Sequence, residues 1–179
     1  MPYCAKMLRA AQLAVEYHNG QTRKVSEVPY VVHPLRVAKV VADLQLPTGV
    51  NRDHAILAAI LHDMLEDTKV EPEVIAREFG PEVYKIVTEL TLDLGLPRAA
   101  RIEKMLRRTE KMSPAAKIVK LADRLDNMRD MDGRDKRFIK RYCGEAQAIL
   151  EKLRGACPVL EAEIEKIIEK HGKLEAAVK

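Results

Sequence analysis

A histidine and three acidic residues follow directly on the most apolar segment of the chain. Residues 55–61 read AILAAIL, and His62, Asp63, Glu66 and Asp67 come next. Burying a carboxylate costs on the order of several kcal/mol unless a partner compensates it. A divalent metal ion is the most compact source of positive charge for such a cluster, and water bound to it is a nucleophile near neutral pH. The residue types and their spacing therefore suit metal-assisted hydrolysis.

A second interpretation fits the same four residues. A buried helix that emerges into solvent after Leu61 would simply expose the polar residues that follow it. Met64 and Leu65 lie between the polar pairs and favour a core that continues through them. The position of these residues along the chain supports a buried cluster and an exposed helix end about equally, so both interpretations stay open at this point.

Further metal ligands have to come from other parts of the chain. His62 and Asp63 point about 100° apart on a helix, so both reach one ion only near its surface. His33 precedes Pro34 at a predicted helix start, and Asp123 lies well inside a helical stretch, where aspartate has poor propensity. Taken alone, His33 is explained as a capping or surface histidine and Asp123 as a residue on a solvated helix face.

Helical periodicity runs through the whole chain and defines the elements that must position these residues. Asn19-Gly20 predicts the end of the first helix, Pro34 the first turn of the second, and Ser113-Pro114 the start of a later one. The predicted helices cover residues 4–18, 34–44, a stretch from 52 through the polar cluster, 71–79, 81–91, 98–111, 113–131, 134–154 and 158–172. We expect one all-α domain over residues 1–179, a bundle of about eight to ten helices.

Composition narrows the class of protein. Of the 179 residues, 47% are apolar and 32% charged, which is typical of a globular domain rather than a disordered chain. The net charge of +4, without a stripe of Lys and Arg interleaved with aromatics, suits an anionic small molecule and argues against nucleic acid as partner. No apolar stretch reaches the roughly 20 residues of a membrane span, and no signal peptide is evident. We therefore expect a cytoplasmic protein with no membrane partner, either a monomer or a homo-oligomer, and reduced thiols at Cys4, Cys143 and Cys157.

Several segments in this order resemble one known family. The chain is similar to the HD hydrolase domain of the RelA/SpoT family, and particularly to its stand-alone small alarmone hydrolases, over roughly residues 5–150. The matching segments are GQTRK at 20–24, PYVVHP at 29–34, LHDMLEDT at 61–68, FGPEV at 79–83, KLADRLDNMRD at 120–130 and RYCGEAQ at 141–147. A lone His-Asp pair occurs by chance, but the ordered set HP, HDxxEDT and LADRLxN is specific. The sequence departs from the family pattern at Val28, Met64 and Asp126, and long members often have histidine at the last position.

The resemblance assigns a role to each candidate residue. It implies that His33, His62, Asp63 and Asp123 bind one divalent metal, usually Mn²⁺ in this family, and that mixed nitrogen and oxygen ligands hold it. Glu66 and Asp67 would position the attacking water and accept its proton. The positions that would contact the substrate are Arg23 and Lys24 for guanine and phosphates, Asn127 for the ribose, and Tyr142 to close the pocket.

The family reaction removes pyrophosphate from the 3′ position of guanosine tetraphosphate or pentaphosphate and leaves GDP or GTP. Only about 30 residues follow the matching region, so we expect hydrolysis of the alarmone without its synthesis. One alternative is an HD phosphatase acting on another nucleotide, such as the 2′-phosphate of NADPH or a nucleoside monophosphate. The other alternative is a catalytically silent, nucleotide-sensing helical module.

Overall fold

The structure is a computed structural model that describes residues 2–23, 27–92 and 95–176, with side chains to residue 172. Over these ranges the chain forms ten α-helices and no strand, which confirms the all-α prediction. The helices are α1 (Tyr3–Tyr17), α2 (Val32–Asp43), α3 (Arg52–Leu61), α4 (Met64–Asp67), α5 (Pro72–Phe79), α6 (Pro81–Leu90), α7 (Arg98–Thr109), α8 (Pro114–Arg129), α9 (Lys136–Leu153) and α10 (Pro158–Ala176).

Helix α3 lies at the centre of the packing. It contacts α1, α2, α6 and α8, and six of its residues are buried, as expected for a helix that is apolar on every side. The Asn51 side chain accepts a hydrogen bond from the His54 backbone N–H and caps the N-terminus. The Arg52 guanidinium donates to the carbonyl groups of Ala42 and Leu44 at the end of α2. These contacts fix the start of α3 against the end of α2.

Helix α8 is the second buried helix of the fold. It packs against α2, α3 and α6 on one part of its surface and against α9 and α10 on another. Ser113 accepts a hydrogen bond from the Ala116 N–H and Pro114 occupies the first turn, as the sequence predicts. Packing from several directions also buries the charged residues of α8, which include Lys120, Asp123 and Arg124. Charges on this helix therefore need partners within the protein or from a ligand.

Two helix boundaries differ from the prediction in ways that affect the polar cluster. The predicted continuous helix through this cluster is wrong: α3 ends at Leu61, and a turn at His62 and Asp63 separates it from the short helix α4. Helix α2 starts at Val32, two residues before Pro34, because proline is accepted anywhere in the first turn, where N–H groups lack helical partners. His33 is thus fixed within the first turn.

The other helix bounds agree with the sequence to within a few residues, except that α10 continues to Ala176. Gly80 separates α5 from α6 with a φ of 95°, a conformation that glycine adopts without strain. No disulfide joins any two of Cys4, Cys143 and Cys157, all of which lie in the described ranges. Within the described ranges, no helix combines the length and the apolar character that crossing a bilayer would require.

Candidate metal centre

The first turn of α2, the turn after α3 and the middle of α8 bring four distant residues together. His33, His62 and Asp123 are buried and offer ligand atoms within 4.8 Å of one another. The fourth residue, Asp63, places Oδ2 3.0 Å from His62 Nε2 and 3.5 Å from His33 Nε2. Asp123 Oδ1 lies 3.3 Å from His33 Nε2 and 3.8 Å from His62 Nε2. The four residues that the resemblance implied as ligands therefore share one small volume.

His62 presents one ring nitrogen to this volume. Its Nδ1 lies 2.9 Å from the Ala59 carbonyl oxygen and donates to it, so Nε2 is the nitrogen directed to Asp63 and Asp123. Nε2 is buried and makes no hydrogen bond to any described residue, although Asp63 is close by. A buried nitrogen without a partner is costly, and a divalent cation would satisfy it. The donor set therefore fits a metal ion.

His33 is oriented in a similar way by a carboxylate. Its Nδ1 lies 2.7 Å from Oδ2 of Asp126, which is itself buried. Metal-binding histidines commonly donate their second ring N–H to such a carboxylate, which fixes the tautomer and strengthens the ligand. Asp126, a departure from the long family members, thus has a defined contact here, and Nε2 of His33 is directed to Asp63 and Asp123.

The electrostatics of the cluster are those of closely paired opposite charges. Burial would lower the pKa of His62, but Asp63 and Asp123 together raise it well above its usual value. Burial likewise opposes ionisation of Asp123, yet Lys120 and the two histidines hold its pKa well below the usual range. The carboxylates therefore stay ionised and available to a cation.

Glu66 and Asp67 lie on α4 beside the cluster, and their predicted role rests on this placement. Both line the same cavity as Asp63 and Asp123. Burial raises the pKa of both carboxyl groups above the ordinary values. The Leu92 N–H donates to Glu66 Oε2 at 2.9 Å, and the Tyr30 hydroxyl lies 3.1 Å from Asp67 Oδ2. Two oriented carboxylates with raised pKa values suit the role of proton acceptors.

The cluster opens into a cavity of about 410 Å³. Arg23, Asn127 and Tyr142, the described residues with a predicted substrate contact, all line this cavity. Asn127 also donates through Nδ2 to Asp123 Oδ1, so it holds that carboxylate as well. Lys24, the remaining predicted contact, lies outside the described residues. The roles of these residues as ligands, catalysts and substrate contacts stay predictions, while their placement around one cavity is observed.

Several cationic residues of the cavity were not singled out from the sequence. The wall includes Arg98, Arg101, Lys120, Arg124 and Arg134. Arg124 is 6% exposed, and its Nε and Nη1 atoms have no hydrogen-bond partner among the described residues. Its guanidinium lies 4.4 Å above the Tyr142 ring, which fixes its position without neutralising its charge. Burying a guanidinium without a partner destabilises the folded protein unless an anion binds to it. The cavity is thus suited to a multiply phosphorylated ligand.

Comparison with known proteins agrees with this geometry. A family model described as "HD domain" matches residues 10–159, which include all four converging residues. The chain belongs to the HD domain family.

Relatives of this HD domain protein extend over nearly its full length. It is 36% identical to the guanosine-3′,5′-bis(diphosphate) 3′-pyrophosphohydrolase MESH1 of Xenopus tropicalis, over 94% of this chain and 96% of the relative. It is 33% identical to the Homo sapiens protein of the same name over the same shares. A solved structure described as a metazoan ortholog of SpoT that hydrolyses ppGpp superposes with a TM-score of 0.85 at 32% identity, covering 94% of this chain and 96% of that one. The predicted resemblance to the RelA/SpoT hydrolases is confirmed.

Proposed function

We propose that this HD domain protein is a metal-dependent hydrolase that removes the 3′-pyrophosphate of guanosine tetraphosphate or pentaphosphate, leaving GDP or GTP. One observation carries the proposal: the buried His33, His62 and Asp123 cluster adjoins, through Asp123, a cavity whose wall includes Arg124, and the Nε and Nη1 atoms of Arg124 have no hydrogen-bond partner among the described residues. The first feature suits a divalent ion, and the second suits a phosphate. Together they suit hydrolysis at a phosphorus atom.

Four residues would hold the ion: His33, His62, Asp63 and Asp123. A divalent ion at this place would supply a nucleophile by making water acidic near neutral pH. Glu66 and Asp67 would orient the attacking water and accept its proton, since burial raises the pKa of both carboxyl groups.

The arginines of the cavity wall would bind the negatively charged phosphates of the substrate. Arg124 lines the cavity, and its Nε and Nη1 atoms have no partner among the described residues, so its guanidinium would bind a phosphate oxygen. Arg98 and Arg101 lie on the part of the cavity wall formed by α7, and Arg134 lies just before α9. A substrate with a pyrophosphate on each side of the ribose carries enough negative charge to engage several of these cations, and a single phosphate carries less.

Relatives support pyrophosphate removal over the two alternatives. The MESH1 proteins of Xenopus tropicalis and Homo sapiens, at 36% and 33% identity, are both described as 3′-pyrophosphohydrolases of guanosine-3′,5′-bis(diphosphate). Glu66 and Asp67 are both present in the cavity, and a pure nucleotide sensor has no need of them. We extend the proposal to Mn²⁺ as the metal, a cytoplasmic location, and a single domain over residues 1–179.

A product assay tests the proposal. The purified protein is incubated with Mn²⁺ and guanosine tetraphosphate, and products are resolved by ion exchange, with His62→Ala as the inactive control. We expect GDP and pyrophosphate in equal amounts. Release of orthophosphate, or turnover of NADPH but not of guanosine tetraphosphate, would refute the proposal in favour of another HD phosphatase. Binding without any product would identify a sensor.

A further inference from the structure

A chain of ion pairs connects the candidate metal ligand His33 to the candidate substrate contact Arg23. His33 Nδ1 contacts Asp126 Oδ2 at 2.7 Å, and Arg23 Nε donates to Asp130 Oδ2 at 3.0 Å. Asp126 lies in the last turns of α8, and Asp130 follows four residues later as the residue that caps the C-terminus of this helix. Two carboxylates at this spacing repel each other unless a cation lies between them.

Arg36 is that cation. Its Nε lies 2.8 Å from Asp126 Oδ1, and its Nη2 lies 3.1 Å from Asp126 Oδ2 and 2.7 Å from Asp130 Oδ2. Asp126 Oδ2 is therefore shared between Arg36 and His33, and Asp130 Oδ2 between Arg36 and Arg23. One planar guanidinium fixes both carboxylates, which the single point charge of a lysine would not do.

The position of Arg36 separates it from the chemistry itself. It lies on α2 one turn after His33, its side chain is 38% exposed, and it lines a different groove between α2, α8 and α10. Of its two partners, Asp126 lines this groove, and Asp130 lines both the groove and the cavity, whereas Arg36 itself does not line the cavity. Its influence on the site therefore has to pass through these two carboxylates.

We propose that Arg36 is a positioning residue that sets two separate functions of the site at once: the orientation of His33 toward the metal, through Asp126, and the orientation of Arg23 toward the substrate, through Asp130. The substrate half of this inference rests on the proposed substrate, and the metal half rests only on the proposed metal site. Metal binding and nucleotide binding then both depend on one side chain outside the cavity, that of Arg36.

Three variants separate the two halves. Asp126→Asn should weaken Mn²⁺ binding about 10- to 100-fold, in the range for losing a partner of a metal-binding histidine, with little change in KM at saturating metal. Asp130→Asn should raise KM for guanosine tetraphosphate about tenfold and leave the Mn²⁺ affinity within about twofold, since Arg23 loses a charge-assisted hydrogen bond. Arg36→Gln should both weaken Mn²⁺ binding and raise KM. Arg36→Lys should restore little of the Mn²⁺ affinity or of the KM.

Lys39→Gln is the matched control. Lys39 lies on the same helix and lines the same groove, but among the described residues it pairs only with the exposed Asp43, at 2.6 Å. Its removal should change neither KM nor the Mn²⁺ affinity.

Metal affinity is measured by titrating metal-free protein with Mn²⁺ against a chelator, which needs no turnover. Failure of the wild type to hydrolyse the alarmone would refute the proposed function, but the Mn²⁺ titration would still test the metal half of the inference. Arg36→Gln with unchanged Mn²⁺ affinity and unchanged KM, in protein with a native circular dichroism spectrum, would overturn the inference. Should Arg36→Gln not fold, Asp126→Asn and Asp130→Asn test the inference instead. A tenfold rise in KM for Asp126→Asn, or a 10- to 100-fold loss of Mn²⁺ affinity for Asp130→Asn, would overturn it.

Discussion

The hydroxyl of Tyr30 donates a 2.7 Å hydrogen bond to Oδ2 of Asp63 and so ties the start of the α2 region to the turn after α3. The same hydroxyl lies 3.1 Å from Asp67 Oδ2. Burial, followed by the charge of Asp63, raises the pKa of Tyr30 far above its usual value, so the hydroxyl remains a donor at every working pH. One phenol thus fixes a candidate metal ligand relative to a candidate base.

Removing this hydroxyl tests the connection. Tyr30→Phe should lower kcat about tenfold, the magnitude expected for losing a hydrogen bond to a charged group, while KM changes little. Tyr17→Phe is the control, because Tyr17 is 37% exposed at the end of α1. Steady-state kinetics at saturating Mn²⁺ give both constants. An unchanged kcat would show that Asp63 and Asp67 hold their positions without the phenol.

Glu66 should behave as a proton acceptor. Glu66→Gln keeps the shape of the side chain and should leave the Mn²⁺ content near normal, while kcat falls at least about 100-fold. Elemental analysis of the purified variant, together with the kinetics, checks both statements. Full activity in this variant would remove the proposed role, and loss of metal would make Glu66 a ligand instead.

The pH dependence of turnover follows from the same residue. Burial raises the pKa of Glu66, and the base must be ionised to accept a proton. Activity should therefore be lost as pH falls through this raised pKa, at a higher pH than the value of about 4.3 for an exposed glutamate. The residual activity of Glu66→Gln should lack this acidic limb. An identical pH profile in wild type and variant would assign the limb to another group.

Arg124 gives a prediction in which binding and stability move in opposite directions. Arg124→Met keeps the apolar stem but removes a buried charge whose Nε and Nη1 atoms have no hydrogen-bond partner among the described residues. We expect KM to rise about tenfold or more and the melting temperature to stay equal or increase. Arg154→Met, at an exposed position paired with Glu165, is the control and should leave KM unchanged. A melting temperature well below wild type would indicate a structural role for Arg124.

Metal removal should affect stability as well as activity. A ligand that binds only the folded state stabilises it, by about 2.7 kcal/mol at a concentration 100 times its Kd. Stripping the metal with a chelator should therefore lower the melting temperature, and adding Mn²⁺ back should restore it. In Asp63→Ala the melting temperature should no longer respond to Mn²⁺. A normal response in that variant would exclude Asp63 as a ligand.

The sequence predicted the elements of the site better than their arrangement. The unbroken apolar run 55–61 has the signature of a helix buried on every side, and α3 is such a helix. The glycine at position 80, before a proline, indicates a boundary between α5 and α6, and φ at Gly80 is positive. These features depend on local chemistry, which a sequence displays directly.

Features that depend on packing could not be predicted in the same way. The polar side of α8 is compatible with solvent when α8 is considered alone. In the structure, other helices cover α8, so that Lys120 and Asp123 are 8% and 7% exposed. The contacts of Arg36 join residues about 90 positions apart along the chain, and no pattern of spacing reveals them. The turn that ends α3 at Leu61 likewise follows from the tertiary contacts of the cluster.

Anomalous X-ray diffraction from crystals grown with Mn²⁺ tests most directly whether His33, His62, Asp63 and Asp123 hold one divalent ion. We expect one strong anomalous peak per chain, bonded to both Nε2 atoms and to an oxygen of each carboxylate, with Asp126 in contact with His33 and not with the metal. A peak elsewhere, or a bound ion with any of the four side chains turned away from it, would contradict the account.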